Sequence, residues 1–365
     1  MKKNIAFLIG SLSNAAGTER ITSNLANLLN RNGYSITIIS LCSSQRSYFP
    51  LDERIKTFSL LRSEKYASLK SPYIIYRLYK LIKSNDIEII INVDTILALF
   101  TLPLKLLIPE LKVISWEHFN YNVTLGVKRR KWARILSKKY ADAIVTLTET
   151  DMNLFEENLD GKCKVYHVPN FIQNDILEHP LSQEKKIISV GRLNYQKGYD
   201  ILIKIWAKVK SKIDDKSWEI NILGDGEELE YLVNYAKKLK VNDSIKFLGK
   251  KTNVEDFYKT ASFFMMTSRF EGLPMVLIEA LNHGLPIISF NCPTGPADIV
   301  DNGINGYLIP LNDIDKYADK LIELMTDASL RDRMHIEALK KAKEFNPEKV
   351  LEKWCNILTQ LEYDS

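Results

Sequence analysis

The stretch Lys186-Ile187-Ile188-Ser189-Val190-Gly191-Arg192-Leu193-Asn194-Tyr195-Gln196-Lys197-Gly198 decides how the rest of the chain is read. Its first five residues form an apolar, β-branched run, the pattern of a strand covered on both faces. The run stops at Gly191, and a helical pattern opens near Gly198. Strand, glycine-bearing loop and helix in succession mark the carboxyl end of a strand in an α/β sheet, where such sheets take their ligands. Arg192 and Lys197 leave this one loop toward a helix N-terminus. A planar guanidinium and a mobile ammonium beside free main-chain N–H groups suit a diphosphate. A solvated basic turn would look the same, so the neighbouring sequence must decide.

Outward from this point the alternation repeats. Short apolar runs occupy 5–9, 35–40, 87–93, 112–116, 143–147 and 165–168 before it, and 218–223, 245–248, 263–267 and 286–290 after it. Helix-period segments lie between them, which predicts βαβ units and parallel sheets. One helix is legible residue by residue: Ile21, Leu25, Leu28 and Leu29 share a face, and Gly33 stands where a C-terminal cap wants positive φ. Residues 173–186 are polar, contain Pro180 and lack periodicity, so the expected boundary lies there. The 365 residues fit two domains at about 150 residues each.

Composition narrows the classes. The hydrophobic fraction of 45% is that of a globular chain, and 50 Lys+Arg against 45 Asp+Glu leave a net charge of only +5, too mild to imply nucleic acid. Cys42, Cys163, Cys292 and Cys355 are scattered without Cys-x-x-Cys or His at ligand spacing, so free thiols in a reducing compartment are expected, with no metal site. The apolar run after Lys3 is too short for a signal peptide. No run reaches the roughly 18 apolar residues of a membrane span. A cytoplasmic protein is expected.

A second constellation, Glu271-Gly272-Leu273-Pro274-Met275-Val276-Leu277-Ile278-Glu279, follows the 263–267 strand. Pro274 suits the first turn of a helix. Glu271 then lies in the loop before it, where a carboxylate can accept bonds from sugar hydroxyls. Glu279 lies one to two turns inside, where it can take both hydroxyls of a ribose. The N–H groups of Gly272 to Val276 face whatever sits at the helix start. A surface Glu and a capping Glu explain each half equally well alone. His118, in Ser115-Trp116-Glu117-His118-Phe119-Asn120, falls just past a strand at the same kind of edge, with Glu117 beside it. His283, beside Gly284, is expected to end a helix as a cation suited to the dipole.

Glu-x7-Glu after a strand, preceded by Gly-Arg-x4-Lys-Gly, resembles the family 4 retaining glycosyltransferases. Gly224-Asp225-Gly226, Phe247-Leu248-Gly249 and Gly303-Ile304-Asn305-Gly306-Tyr307-Leu308 add to the match. Ala16-Gly17-Thr18-Glu19 is similar to the family's N-terminal Gly-Gly-x-Glu loop, with Ala16 replacing the first glycine. The resemblance implies a GT-B fold: two Rossmann-like domains with parallel sheets facing a cleft. The first is an acceptor-binding domain over 1–178, joined by a returning helix at 347–365; the second is a nucleotide-sugar domain over 179–346. It implies that Arg192 and Lys197 bind the donor diphosphate, that Glu279 holds the ribose and that Glu271 contacts the transferred sugar. Gly191, Gly224, Gly272, Leu273, Pro274 and Met275 would line the donor, Gly17 would approach the diphosphate, and His118 would stand near the sugar and acceptor. The donor would be UDP-linked, with GDP-mannose as the nearest alternative. Glu117-His118-Phe119 and Pro293-Thr294-Gly295-Pro296 look like bacterial hexose or N-acetylhexosamine transferases of surface-glycan assembly. No cofactor or metal is implied.

The basic stretch 128–139 places Lys128, Arg129, Arg130 and Lys131 around Trp132, Ile135 and Leu136, which share one helical face. Residues 73–83 mix Ile74, Ile75, Leu78, Leu81 and Ile82 with Arg77, Lys80 and Lys83. Either helix can be a solvated basic face over a buried apolar one, or a contact for an anionic membrane or a lipid-linked glycan. Asp313-Ile314-Asp315 opens a helical pattern, so capping is favoured over metal binding. Gly224-x-Gly226 lacks the third glycine of a dinucleotide fingerprint. A nucleotide-sugar epimerase of the same fold, or a non-catalytic nucleotide-sugar-binding protein, remain as rival readings.

Overall fold

Almost every apolar run becomes a strand buried on both faces. The computed structural model describes residues 3–14, 17–42, 47–61, 71–124, 126–173 and 179–363. The chain divides into two compact units, 1–173 with 347–365, and 174–346. Residues 174–178, where the boundary is expected, and Ala16 lie outside the described residues.

The first unit carries β1 (Asn4–Ile9), β2 (Ser35–Cys42), β3 (Lys56–Leu61), β4 (Ile89–Val93), β5 (Lys112–Glu117), β6 (Ala143–Thr146) and β7 (Lys164–His167). They form a parallel sheet in the order β3-β2-β1-β4-β5-β6-β7. Its helices are α1 (Gly17–Arg31), α2 (Ser71–Ser84), α3 (Ala98–Thr101), α4 (Arg129–Tyr140) and α5 (Glu149–Asn158). In the second unit β8 (Lys186–Val190), β9 (Glu219–Leu223), β10 (Ile245–Gly249), β11 (Phe263–Met266), β12 (Ile287–Asn291) and β13 (Gly306–Pro310) pair in parallel as β10-β9-β8-β11-β12-β13. Its helices are α6 (Tyr199–Lys212), α7 (Leu229–Lys238), α8 (Val254–Thr260), α9 (Met275–Asn282), α10 (Pro296–Ile299), α11 (Ile314–Thr326) and α12 (Ala328–Ala342). The last helix, α13 (Pro347–Tyr363), returns to the first unit. There Trp354 meets the Trp116 ring edge-on, centroids 5.2 Å apart, and Tyr166 donates to Gln360 at 2.8 Å.

Strand order places the candidate site. It reverses between β1 and β4 in one sheet and between β8 and β11 in the other. Such switch points open crevices beyond the carboxyl ends of the strands. The 191–198 loop follows β8, and the Glu271 loop follows β11.

Local chemistry explains the element ends. Ile21, Leu25 and Leu29 of α1 are buried. At its end Tyr34 N–H bonds Leu29 O (3.1 Å) and Gly33 N–H bonds Asn30 O (3.0 Å), with Gly33 at φ 91°, a cap that needs the left-handed conformation. Asp313 caps α11 by accepting from Lys316 N–H at 3.0 Å. Strands β3 and β13 are absent from the sequence expectation. Both are sheet edges, and β3 mixes exposed Lys56 and Thr57 with buried Leu60 and Leu61, so neither shows a long apolar run.

Candidate active site

In the second unit, two loops are stitched together at the carboxyl end of the sheet. In the first, Asn194 accepts from Lys197 N–H at 3.2 Å, and Gly198 turns the chain into α6 at φ 66°. A Cβ on Gly198 would collide with the Thr267 carbonyl, so only glycine lets the loops lie this close. Thr267 Oγ1 donates to Gly198 O at 3.0 Å, and Arg269 N–H bonds Gln196 O at 2.8 Å. The Arg269 guanidinium packs over the Tyr195 ring at 4.1 Å and pairs with Asp200 at 2.8 Å.

These contacts bring together the cation and carboxylate singled out from sequence. Lys197 Nζ lies 2.7 Å from Glu271 Oε1, while Gln196 Nε2 donates to Phe270 O at 3.0 Å and approaches Glu271 Oε2 at 3.4 Å. Glu271 is buried. Arg192 is exposed on the same loop and forms no ion pair among the described residues. Gly191 lies against the Lys197 stem, and Gly224 at φ 143° presses its backbone on the Gly191 carbonyl. The 293–295 loop supports Glu271 from the other side: Glu271 N–H bonds Pro293 O (2.9 Å) and Thr294 N–H bonds Glu271 O (3.2 Å).

Pro274 sits at the N-cap of α9, one residue earlier than expected, and Met275 opens the helix. The N–H groups of Gly272, Leu273, Met275 and Val276 have no main-chain acceptor among the described residues, which leaves an electropositive start beside Glu271. Glu279 is half-buried on α9 and accepts from the Tyr258 hydroxyl at 3.1 Å. His283 caps the end of α9, but burial pushes its pKa down to about 4, with His179 and Lys259 nearby adding to the effect. The expectation of a cation there is therefore corrected: the imidazole is neutral because it is buried.

The first unit presents a second set of residues at its sheet edge. Gly17 opens α1, exposed, with nothing among the described residues near its Cα that a side chain would meet. His118 follows β5, buried, its ring 4.3 Å from that of Trp116. Burial pushes its pKa down to about 3, so it is a neutral imidazole. Its Nε2 has no partner among the described residues. Glu117 is fully buried and is gripped by Arg134 at 2.8 Å. The same guanidinium donates to the carbonyls of Asn120, Tyr121 and Val123, which fixes the loop carrying His118. Arg130 pairs with Asp94 at 2.9 Å and packs on the Phe119 ring at 4.3 Å. Asp94, at φ 99° just past β4, has its pKa pushed up to about 6 by burial and by the Glu117 charge, against the pull of Arg130.

Helix α4 corrects the sequence expectation. Arg130, Ala133, Arg134, Ser137 and Lys138 face inward, whereas Trp132 is 65% exposed and Ile135 and Leu136 are half-buried. Arg130, Arg134 and Lys138 recur every four residues, and each meets an acid: Asp94, Glu117 and Glu156. Paired charge fills the buried stripe, so Arg130 is not a surface cation; Lys128, Arg129 and Lys131 are exposed.

Residues 172–341 match the family model of glycosyl transferases group 1, and residues 15–175 that of glycosyltransferase family 4. A glycosyltransferase of Haemophilus influenzae is 34% identical over 98% of this chain and 100% of its own length. The chain belongs to these glycosyltransferases. Other relatives of the transferase are the amylovoran biosynthesis glycosyltransferase AmsD of Erwinia amylovora, 29% identical over 97% of this chain and 99% of that one, and an α-1,4-N-acetyl-D-galactosaminyltransferase of Campylobacter jejuni acting on an undecaprenol-diphosphate-linked glycan, 26% identical over 98% of each. The fold is GT-B: the lipopolysaccharide galactosyltransferase WaaB superposes with TM-score 0.80 at 21% identity, covering 98% of this chain and 99% of WaaB. The transferase reading thus displaces the epimerase and the non-catalytic binding protein. Tyr258 and Asp94 carry no signal in the sequence; Gln196 occupies an unspecified position of the 191–198 motif, and Arg134 reads only as one cation of the basic stretch 128–139.

Proposed function

We propose that this glycosyltransferase moves a hexose or N-acetylhexosamine, with retention, from a UDP-linked donor to a lipid-linked glycan in bacterial surface-polysaccharide assembly. The observation that carries the reading is the Lys197–Glu271 pair, on the same two loops as exposed Arg192 and the N–H groups at the start of α9 that lack a main-chain acceptor among the described residues. Cations and N–H dipoles meet a diphosphate there, and a carboxylate meets a sugar. The relatives that act in amylovoran biosynthesis and on an undecaprenol-diphosphate glycan support the acceptor class.

In the proposed reaction the C1–O bond of the donor loosens to an oxocarbenium-like state. The departing diphosphate oxygen takes the proton of the acceptor hydroxyl on the same face. Arg192 and Lys197 stabilise that oxygen as its charge grows, which is where fixed donors act most strongly. Glu271 orients the sugar, Glu279 the ribose, and Gly17 and neutral His118 are proposed to meet donor and acceptor. The protein's own cations, rather than a metal, neutralise the leaving group.

A panel of UDP-sugars and GDP-mannose, with and without lipid-linked acceptor glycan and with chelator present, tests this. The expected result is acceptor-dependent, chelator-insensitive release of UDP and an α-linked product. A β-linked product from an α-linked donor removes retention; chelator sensitivity removes the metal-free scheme.

A further inference from the structure

Tyr258 on α8 reaches across to α9. Its hydroxyl lies 3.1 Å from Glu279 Oε2 and 3.5 Å from Val276 O. A phenol has one proton to donate, and the shorter, charge-assisted contact takes it. The ring is 2% exposed. It stacks against Phe264 of β11, centroids 6.1 Å apart at 21°, and against His283 at the end of α9, 5.0 Å apart at 12°. Strand, helix and ring thus hold the hydroxyl at one point beside Glu279.

We infer that Tyr258 is a positioning residue for nucleotide recognition, fixing the Glu279 carboxylate so that it can bind the ribose hydroxyls. The inference rests on the reading of Glu279 as the ribose ligand. Each carboxylate oxygen carries two lone pairs, so the Tyr258 bond does not by itself use up the acceptor sites a diol needs. It also stops the carboxylate plane from turning. A diol bound by one carboxylate needs both oxygens in register, and a rotating plane would lose that preorganisation.

Tyr258→Phe removes one oxygen and keeps the ring stack. The experiment measures binding of UDP and 2′-deoxy-UDP by calorimetry to the wild type, Tyr258→Phe and Glu279→Gln, with Tm recorded for each. The wild type is expected to prefer UDP about tenfold, the scale of one charge-assisted hydrogen bond. Tyr258→Phe should cut that preference to about threefold or less, by weakening UDP and leaving 2′-deoxy-UDP unchanged. Glu279→Gln should shrink it likewise, and the double variant should add nothing further. A Tyr258→Phe enzyme that keeps the full preference overturns the positioning role while leaving Glu279 on the ribose. A wild type that binds both nucleotides equally overturns the ribose reading, and the inference with it. Equal weakening of both nucleotides by Tyr258→Phe marks a packing role and also overturns it.

Discussion

Lys197 Nζ and Glu271 Oε1 stand 2.7 Å apart, joining the loop after β8 to the loop after β11. A bound diphosphate would draw the ammonium away, while Gln196 keeps its hold on the Glu271 loop through Phe270 O. Lys197→Ala is therefore expected to lower kcat by about 10²–10³-fold, with a smaller effect on donor KM, because charge on the leaving group grows in the transition state. Leaving the buried Glu271 without its partner costs about 1–3 kcal/mol of stability. Steady-state kinetics with varied donor, alongside thermal melts, check both; unchanged kcat would remove Lys197 from the reaction.

Glycine substitutions separate backbone need from ligand need. A Cβ at Gly224 would strike the Gly191 carbonyl, and its φ is 143°; Gly224→Ala should destabilise the protein outright. Gly17 has no positive φ and open space around it among the described residues, so Gly17→Ala should fold with unchanged Tm. Loss of activity in Gly17→Ala at full stability would then report close approach to a ligand. Full activity would withdraw the proposed role.

Much of this was legible in the chain because the central strands are buried on both faces and so write continuous apolar runs. Edge strand β3 opens on exposed Lys56 and Thr57 and leaves no such mark, and β13 is mostly buried but glycine and proline bracket its three-residue apolar run. Helix α8 spans only seven residues, too few for a period, so nothing flagged Tyr258. Helix α4 was misread for a different reason. Patterning counts hydrophobicity, and by that count Arg130, Arg134 and Lys138 belong outside. Their acids come from β4's end, β5 and α5, partners that no local pattern reveals.

The Arg134–Glu117 pair sets a stability test. With side chains 3% and 1% exposed, the two charges need each other more than they need water. Arg134→Met leaves the buried Glu117 carboxylate with the Phe119 N–H at 3.1 Å and the more distant Arg130 at 3.7 Å, and should cost about 3 kcal/mol, the low end for a broken buried pair. Glu117→Gln with Arg134→Met should recover part of that loss. Chemical denaturation of the three proteins checks it; a double variant weaker than the single would contradict a charge-pair origin.

Acid should unfold the protein through its buried histidines. His118 has its pKa pushed down to about 3, and His167 and His283 to about 4, mainly by burial. A depressed folded-state pKa means stability present above about 6.5 and lost as pH falls toward the folded value. Asp94 has the opposite sign: its pKa is raised to about 6, so its contribution is present below the ordinary carboxyl range and lost as pH rises to 6. Glu228, whose pKa burial also raises, acts in the same direction as Asp94; three histidine protons against these two carboxyls decide the direction, and Tm should fall between pH 6.5 and 4. His118→Asn should flatten that slope by up to about 1.4 kcal/mol per pH unit. Melts at stepped pH measure it; an unchanged slope would place His118 outside the titration.

The inward turn of Arg130 leaves three cations of the 128–131 stretch on the surface. Lys128, Arg129 and Lys131 remain exposed beside Trp132, and Lys128, Lys131, Trp132, Ile135 and Thr124 line a groove of about 510 Å³. An exposed indole ringed by cations fits an anionic lipid surface, where each Lys or Arg contributes about 1 kcal/mol. Charge reversal should therefore be confined to Lys128, Arg129 and Lys131, since Arg130→Glu would break the pair with Asp94 and confuse binding with unfolding. The triple reversal is expected to weaken binding to phosphatidylglycerol vesicles by at least 100-fold, the equivalent of about 3 kcal/mol, at unchanged Tm. Trp132→Ala should weaken it further at high salt, where screening leaves the apolar part. Vesicle sedimentation that shows equal binding for wild type and the triple reversal would contradict a membrane contact through α4.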